Sequence, residues 1–335
     1  MLKEMLARAV DRQDLTREEV SQVMDEIMQG ETTPAQIAGF ITALRMKGES
    51  VAEVTGAAEA MRRHATYIDA GARTVIDTCG TGGDGAHTFN ISTTAAFIAA
   101  GAGICVAKHG NRAVSSQCGS ADVLAALGVK VEAEPLVMEQ CLQEHGIGFL
   151  FAPRMHPAMK YAIGPRRELG IRTIFNMLGP LTNPAGATGQ VLGVFAPELT
   201  ELFAHALADL GTRRALVVHG SDGLDEITAT GTTRVSELRN GVIRTYDIDA
   251  ELLLGHTCRG SDLAGGDPEA NAAILRGVLE GRPGAPLDVA LLNAAAAIVA
   301  GEQADTLEQG LERARQAVVS GAAMAKLEAL VEATQ

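Results

Sequence analysis

Between residues 17 and 29 the apolar residues Val20, Val23, Met24, Ile27 and Met28 recur at steps of three and four, which places them on one helical face. Three start signals frame this stretch and its neighbours. Thr16-Arg-Glu-Glu19, Thr33-Pro-Ala-Gln36 and Ser50-Val-Ala-Glu53 each pair a hydroxyl N-cap with Glu or Gln three residues on, and Pro34 takes the first helical position of the second. The first 65 or so residues therefore predict a small helical domain, with its Met and Leu stripe as core or subunit interface. From residue 74 the period changes. TVIDTCG, ICVAKHG, GIGFLFAP, VLGVFA and ALVVHG are short apolar runs of strand length. Helical patterns separate them: TTAAFIAAGAG, SADVLAALG (120–128, with Ser120 expected at its cap) and PELTELFAHALADLG. This alternation predicts βαβ units and an α/β fold, a small all-helical domain plus a larger domain with a mainly parallel central sheet. Asn240-Gly241 between two alternating runs predicts a hairpin. VALLNAAAAIVAG (289–301) is too short and too rich in alanine to span a bilayer and reads as a buried helix.

Charge narrows the function classes. Lys and Arg number 28 against 41 Asp and Glu, a net charge of −13, which repels nucleic acid and anionic membrane. Tryptophan is absent and aromatics make up 3%, which leaves little for base stacking. The five cysteines (79, 105, 118, 141 and 258) are widely spaced with no C-x-x-C, against a disulfide framework or zinc site and for a reducing cytoplasm. The N-terminal MLKEMLARAVDRQD is charged and amphipathic, unlike a signal peptide.

Three polar loops follow predicted strands, where ligands bind in such sheets. GTGGDG (80–85) formally matches a dinucleotide fingerprint, but no acid stands about 20 residues on, and no G-K-[ST] follows for a Walker loop. What remains is either a backbone cradle for an anion ahead of a helix or a plain strand–turn–helix junction. KHGNRAVSSQCGS (108–120) then packs Lys108, His109, Asn111 and Arg112 into five positions, with Ser115, Ser116 and Ser120 just after. That is an unusual concentration of cations for so acidic a chain and suits a polyphosphate. HGSDGLDEIT (219–228) sets Asp222, Asp225 and Glu226 within five residues. Adjacent Asp225 and Glu226 suit either a hydrated Mg²⁺ or an acidic helix start.

GTGGD, NIST, KHGNR, SADVL, FNMLGPLTNPA and HGSDGLDE, in this order, resemble the anthranilate phosphoribosyltransferase family over nearly the whole chain. The resemblance implies a nucleoside-phosphorylase-like phosphoribosyltransferase fold, with the helical domain at 1–70 joined by a returning segment near 160–183. The α/β domain would take 71–159 and 184–335. It implies a cytoplasmic homodimer that transfers the phosphoribosyl group of 5-phosphoribosyl-1-pyrophosphate (PRPP) to anthranilate, the second step of tryptophan biosynthesis, with two Mg²⁺ ions per site. The implied PRPP site comprises Gly80, Gly83, Asp84, Thr88, Asn90, Ile91, Ser92, Thr93, Lys108, His109, Gly110, Asn111, Arg112, Ala113, Val114, Ser115, Ser116 and Ser120. Gly80, Asn111 and Arg166 would border anthranilate, and Ser92, Asp225 and Glu226 would hold metal. Lys108, His109 and Asp84 are the implied catalytic residues: Lys108 on the leaving group, His109 positioning the amine, Asp84 facing ribose hydroxyls or metal-bound water. Two other readings fit parts of the pattern. A pyrimidine nucleoside phosphorylase of the same fold would not need the acidic pair as a metal site, and a non-catalytic nucleic-acid-binding relative would need a broad basic groove.

Overall fold

The computed structural model describes residues 1–71, 73–113 and 117–335. Helices α1 (Leu2–Val10), α2 (Arg17–Gln29), α3 (Pro34–Lys47) and α4 (Val51–Arg63) form a layer of their own. All three capping boxes close: Thr16, Thr33 and Ser50 accept from the N–H three residues on, and Glu19, Gln36 and Glu53 reach back. The apolar face of α2 is buried from Val20 to Met28. It packs mainly against α4, while α3 meets α1 and the later helix Lys160–Leu169.

The second part is a seven-stranded sheet. Its strands are β1 (Val75–Gly80), β2 (Cys105–Gly110), β3 (Ile147–Phe151), β4 (Gly189–Gly193), β5 (Arg214–Gly220), β6 (Thr232–Arg239) and β7 (Val242–Asp249). They lie in the order β3-β2-β1-β4-β5-β6-β7, the first five parallel. The last two form the antiparallel hairpin, turning at Asn240 (φ 50°) and Gly241 (φ 80°). Both central residues with positive φ are what a two-residue turn matched to strand twist requires.

The chain winds outward from β1 through β2 to β3, then returns to the other side of β1 at β4. Connections therefore diverge between β1 and β4 and leave a crevice at the carboxyl ends of these strands. Side chains on the strands alternate between two cores. Val191, Leu216, Val218 and Val235 join the core built on α5 (Ile91–Gly101) and the helix Ala285–Ala300. Leu192, Val194, Ala215, Val217 and Leu238 join a second core, shared with α1–α4, the helix Leu199–Asp209 and residues Ile174, Phe175, Leu178 and Leu181. The helical layer thus rests on one face of the sheet. Residues 289–300 are buried, as the apolar run predicts, and among the described residues no helix is long and apolar enough to cross a membrane.

Phe203, fully buried in the second core, tests this arrangement. Phe203→Ala is expected to lower stability by about 3–5 kcal/mol, read as a lower urea midpoint at unchanged slope. A loss under about 1 kcal/mol would show that the core is not closed there.

Candidate active site

The loop after β1 is shaped by glycine. Gly82, Gly83 and Gly85 have φ of 69°, 75° and 74°, a region that residues with a Cβ disfavour. Among the described residues the N–H groups of Gly83, Asp84 and Gly85 have no acceptor, so three consecutive donors are open. Asp84 closes the loop locally, its Oδ1 accepting the Ala86 N–H at 3.2 Å. Thr88 pairs with Ala264 in an isolated bridge. Asn90 precedes α5 but does not cap it with its side chain. Its amide donates to the Cys118 carbonyl (3.2 Å) and its Oδ1 accepts from Asn271 (3.0 Å), a brace between two loops. Ile91 and Thr93 are buried.

The acidic run after β5 reaches across β4 to this loop. Asp225 Oδ2 accepts the Gly82 N–H at 2.6 Å, and Glu226 Oε1 accepts the Ser92 N–H at 3.0 Å. Glycine at the end of β4 permits the crossing, because a Cβ at Gly193 would lie 1.5 Å from the Asp225 carbonyl oxygen. Asp222 is used differently. It accepts from the Thr228 and Thr230 hydroxyls at 2.6 and 2.7 Å and builds the turn. Burial, then the neighbouring charges of Glu226 and Asp84, push the Asp225 carboxyl well above its ordinary range. Burial raises Glu226 to about 7 against the opposing pull of Lys108. Buried carboxylates that repel one another call for a cation, and oxygen donors of this kind suit Mg²⁺. Among the described residues no three His, Cys, Asp or Glu side chains form a metal cage by themselves. The fit is therefore to an ion that takes its remaining ligands from water and substrate oxygens.

Adjacent residues on β2 face opposite ways. Lys108 is buried and donates to the Thr78 carbonyl and to Ser92 Oγ (3.3 Å), toward the start of α5. His109 turns to the other face. Its Nδ1 meets the Gly179 carbonyl at 3.1 Å, which makes Nδ1 the protonated nitrogen, and its ring lies 5.0 Å from that of His156. Nε2 of both histidines is buried with no partner among the described residues. Burial lowers His109 to about 3 and His156 to about 4, so both rings are neutral near pH 7. Asp77 holds this strand end: Oδ1 accepts the His109 N–H (3.1 Å) and Oδ2 accepts from Asn183 (2.8 Å). Asn183 also donates to the Ala107 carbonyl (2.7 Å), and Gln190 donates to the Pro180 carbonyl (2.6 Å).

The basic loop is less free than its composition suggests. Arg112 pairs with Asp122 (3.3 Å) and Glu132 (3.1 Å). Asn111 Oδ1 accepts the Arg112 N–H, and Ala113 donates to Asp122. Ser120 is the first helical residue and not the cap, because Asp122 takes the Gly119 N–H at 2.9 Å. Ser120 Oγ instead donates to the Asn111 carbonyl (3.2 Å), beside Gly110. Val114, Ser115 and Ser116 lie outside the described residues. Arg166 is half-buried over the Phe175 ring (5.2 Å), burial pulls its pKa down, and no carboxylate of the described residues pairs with it, whereas Arg167 is exposed. Arg172, Asn183, Gln190 and Phe195 were not expected at the site. Asp77, an acid inside the apolar run VIDTCG, was the available signal for the buried network. A separate cavity of about 440 Å³ lies at the opposite strand ends, but it has neither the glycine loop nor the acids, and its Lys326 donates to the His145 carbonyl.

Family models for a glycosyl transferase helical bundle domain and a glycosyl transferase a/b domain match residues 3–65 and 72–324. The anthranilate phosphoribosyltransferase of Desulfosudis oleivorans is 59% identical over 336 residues, covering 100% of this chain and 99% of its own. The chain belongs to the anthranilate phosphoribosyltransferase family. The crystal structure of the family's enzyme from Thermus thermophilus superposes with a TM-score of 0.94 at 44% identity, covering 98% of this chain and 99% of that one. The Saccharomyces cerevisiae anthranilate phosphoribosyltransferase, solved in complex with PRPP and Mg, gives 0.90 at 28% identity over 99% and 97%. The helical-plus-α/β fold is thus the family's own.

The two histidines give a test. Imidazole nitrogen shifts of His109 and His156 should stay those of neutral rings from pH 8 to about 5, given values near 3 and 4. Both lie below the unfolded value of 6.5, so the stability linked to them is full above that pH and declines as pH falls toward 4 and 3. A midpoint above about 6 for either ring would contradict the burial argument.

Proposed function

We infer that this chain transfers the phosphoribosyl group of PRPP to the amine of anthranilate, releasing pyrophosphate and giving N-(5-phosphoribosyl)anthranilate. The observation that carries the reading is the buried pair Asp225 and Glu226, bonded to the amides of Gly82 and Ser92 beside three open loop donors. An anion cradle and a cation-seeking acidic pair on the same crevice suit a metal-bound pyrophosphate. This observation favours the transferase over a phosphorylase, which has no need of the pair.

Ser92, Asp225 and Glu226 would hold Mg²⁺, two ions per site, which when bound offsets charge on the departing pyrophosphate. The open amides of the glycine loop bind its oxygens, and two of the three Lys108 donors are already occupied, leaving one for phosphate. Gly80, Thr88, Asn90, Gly110, Asn111 and Ser120 border the phosphoribosyl group. As the C–O bond to pyrophosphate lengthens, C1 of the ribose becomes positive and Asp84 lies on the loop facing it. The aromatic amine is neutral and needs no strong base. The neutral His109 accepts one of its N–H groups at Nε2 and orients the lone pair; the C–N bond forms, and a proton leaves nitrogen for solvent. Arg166, whose guanidinium fork has no carboxylate partner among the described residues, grips the carboxylate in two places next to Gly80 and Asn111. We place the helical domain at 1–70 with 160–183, the remainder forming the α/β domain, and infer a cytoplasmic homodimer through the helical domain. The exposed Met46, Tyr161 and Ile163 on that part support the interface.

Mixed with PRPP, anthranilate and Mg²⁺, the protein should quench anthranilate fluorescence as product forms, and a chelator should stop the decay. No decay with Mg²⁺ present would overturn the activity. Arg166→Ala should raise KM for anthranilate by about 10-fold or more, the loss of a charge-assisted contact, with KM for PRPP little changed. Equal effects on both would remove Arg166 from the anthranilate site.

A further inference from the structure

Arg172 lies between the helix Lys160–Leu169 and Phe175, in a segment that leaves the helical layer for the sheet. Its guanidinium carbon sits 4.1 Å from the centre of the Phe195 ring, just beyond β4. One Nη2 N–H donates to the Gly83 carbonyl in the loop after β1. These contacts join three separate pieces of chain at the crevice. The fit is close, since a Cβ at Gly83 would fall 2.4 Å from Nη2.

The direction of this hydrogen bond matters. A trans peptide is planar, and its carbonyl and the following N–H point opposite ways; no peptide of the described residues is cis. Holding the Gly83 carbonyl against Arg172 therefore turns the Asp84 N–H to the other side of the loop, as one of the three open donors. Gly83, which has no Cβ on one side of this peptide, lowers the cost of flipping it. A flip would exchange an N–H facing the anion for a carbonyl oxygen, replacing attraction with repulsion.

We propose that Arg172 is a positioning residue that fixes the amide direction of the glycine loop, with Phe195 as its platform, so that the loop presents donors to pyrophosphate. The proposal rests on the activity inferred above. It needs arginine: a planar guanidinium stacks flat on the ring and donates in its own plane at once, and a lysine ammonium cannot do both.

Three variants test it by steady-state kinetics and by calorimetric titration with Mg²⁺ and pyrophosphate. Arg172→Lys should raise KM for PRPP and weaken pyrophosphate binding by about 10-fold, with KM for anthranilate changed less than about 3-fold and melting temperature preserved. Phe195→Leu should move the same two quantities in the same direction, and Phe195→Tyr, which keeps the stacking face, should restore them. A KM for PRPP within about 2-fold of wild type in folded Arg172→Lys, or equal rises for both substrates, would overturn the proposal. If Arg172 variants do not fold, Phe195→Leu and Phe195→Tyr decide: equal values for the two would overturn it. Wild-type protein that binds pyrophosphate without turning over would sink the activity instead, and the titrations would still judge Arg172.

Discussion

The crevice depends on one crossing. Asp225 and Glu226 leave β5, pass over the end of β4, and bond the loop and helix that follow β1. Two strands that are not neighbours are thereby tied at their carboxyl ends. The crossing is possible because Gly193 and Gly80 have no side chains: a Cβ at either would strike the Asp225 carbonyl or carboxylate. It is also expensive. Two carboxylates lose water, and backbone N–H bonds with one nearby ammonium return only part of that hydration. The remainder of the cost appears as raised carboxyl pKa values, a site electrostatically unfinished until a cation or proton arrives.

Much of the scaffold was legible because its determinants are local. A capping box needs four consecutive residues, and each of the three closes as read. The hairpin needs two residues with positive φ, and Asn-Gly supplies them. The loops that carry the crevice were also legible, since each interrupts an apolar strand with glycine, cations or acids. What a loop's side chains do was not. Arg112 looked like part of a cationic pocket, yet Asp122 and Glu132, 10 and 20 residues on, take its charge. Ser120 looked like a cap, yet Gly119 holds that position and Asp122 reaches back to its N–H. These outcomes turn on which distant groups arrive first, information that spacing does not hold.

Strand geometry explains a further division. Lys108 and His109 are neighbours in sequence and were read as one basic cluster, but the pleat sends them to opposite faces. Lys108 meets α5 and the acids, where charge is useful. His109 meets Gly179 and His156 in a dry pocket, where a charged imidazole would be costly. Asp77 and Asn183 hold the backbone between them, so the two environments are fixed relative to each other. One strand end thus offers a cation to an anion and a neutral lone pair to an N–H. In the proposed reaction those would meet the separate demands of a leaving pyrophosphate and an incoming aromatic amine.

The carboxylate inside the anion loop follows from the same electrostatics. Asp84 has a local task, closing its turn on the Ala86 N–H, but its charge also reaches Asp225 and raises that group further. Asp84 also adds to the repulsion on Glu226, which Lys108 opposes. A cradle of open amides alone would bind any phosphate. In the proposed reaction, acids that call for a cation beside that cradle favour a polyanion that brings its own cations. On the proposed reading Asp84 is not at odds with the glycines around it: the amides would supply affinity for pyrophosphate oxygens, and the acids would favour its metal-bound form.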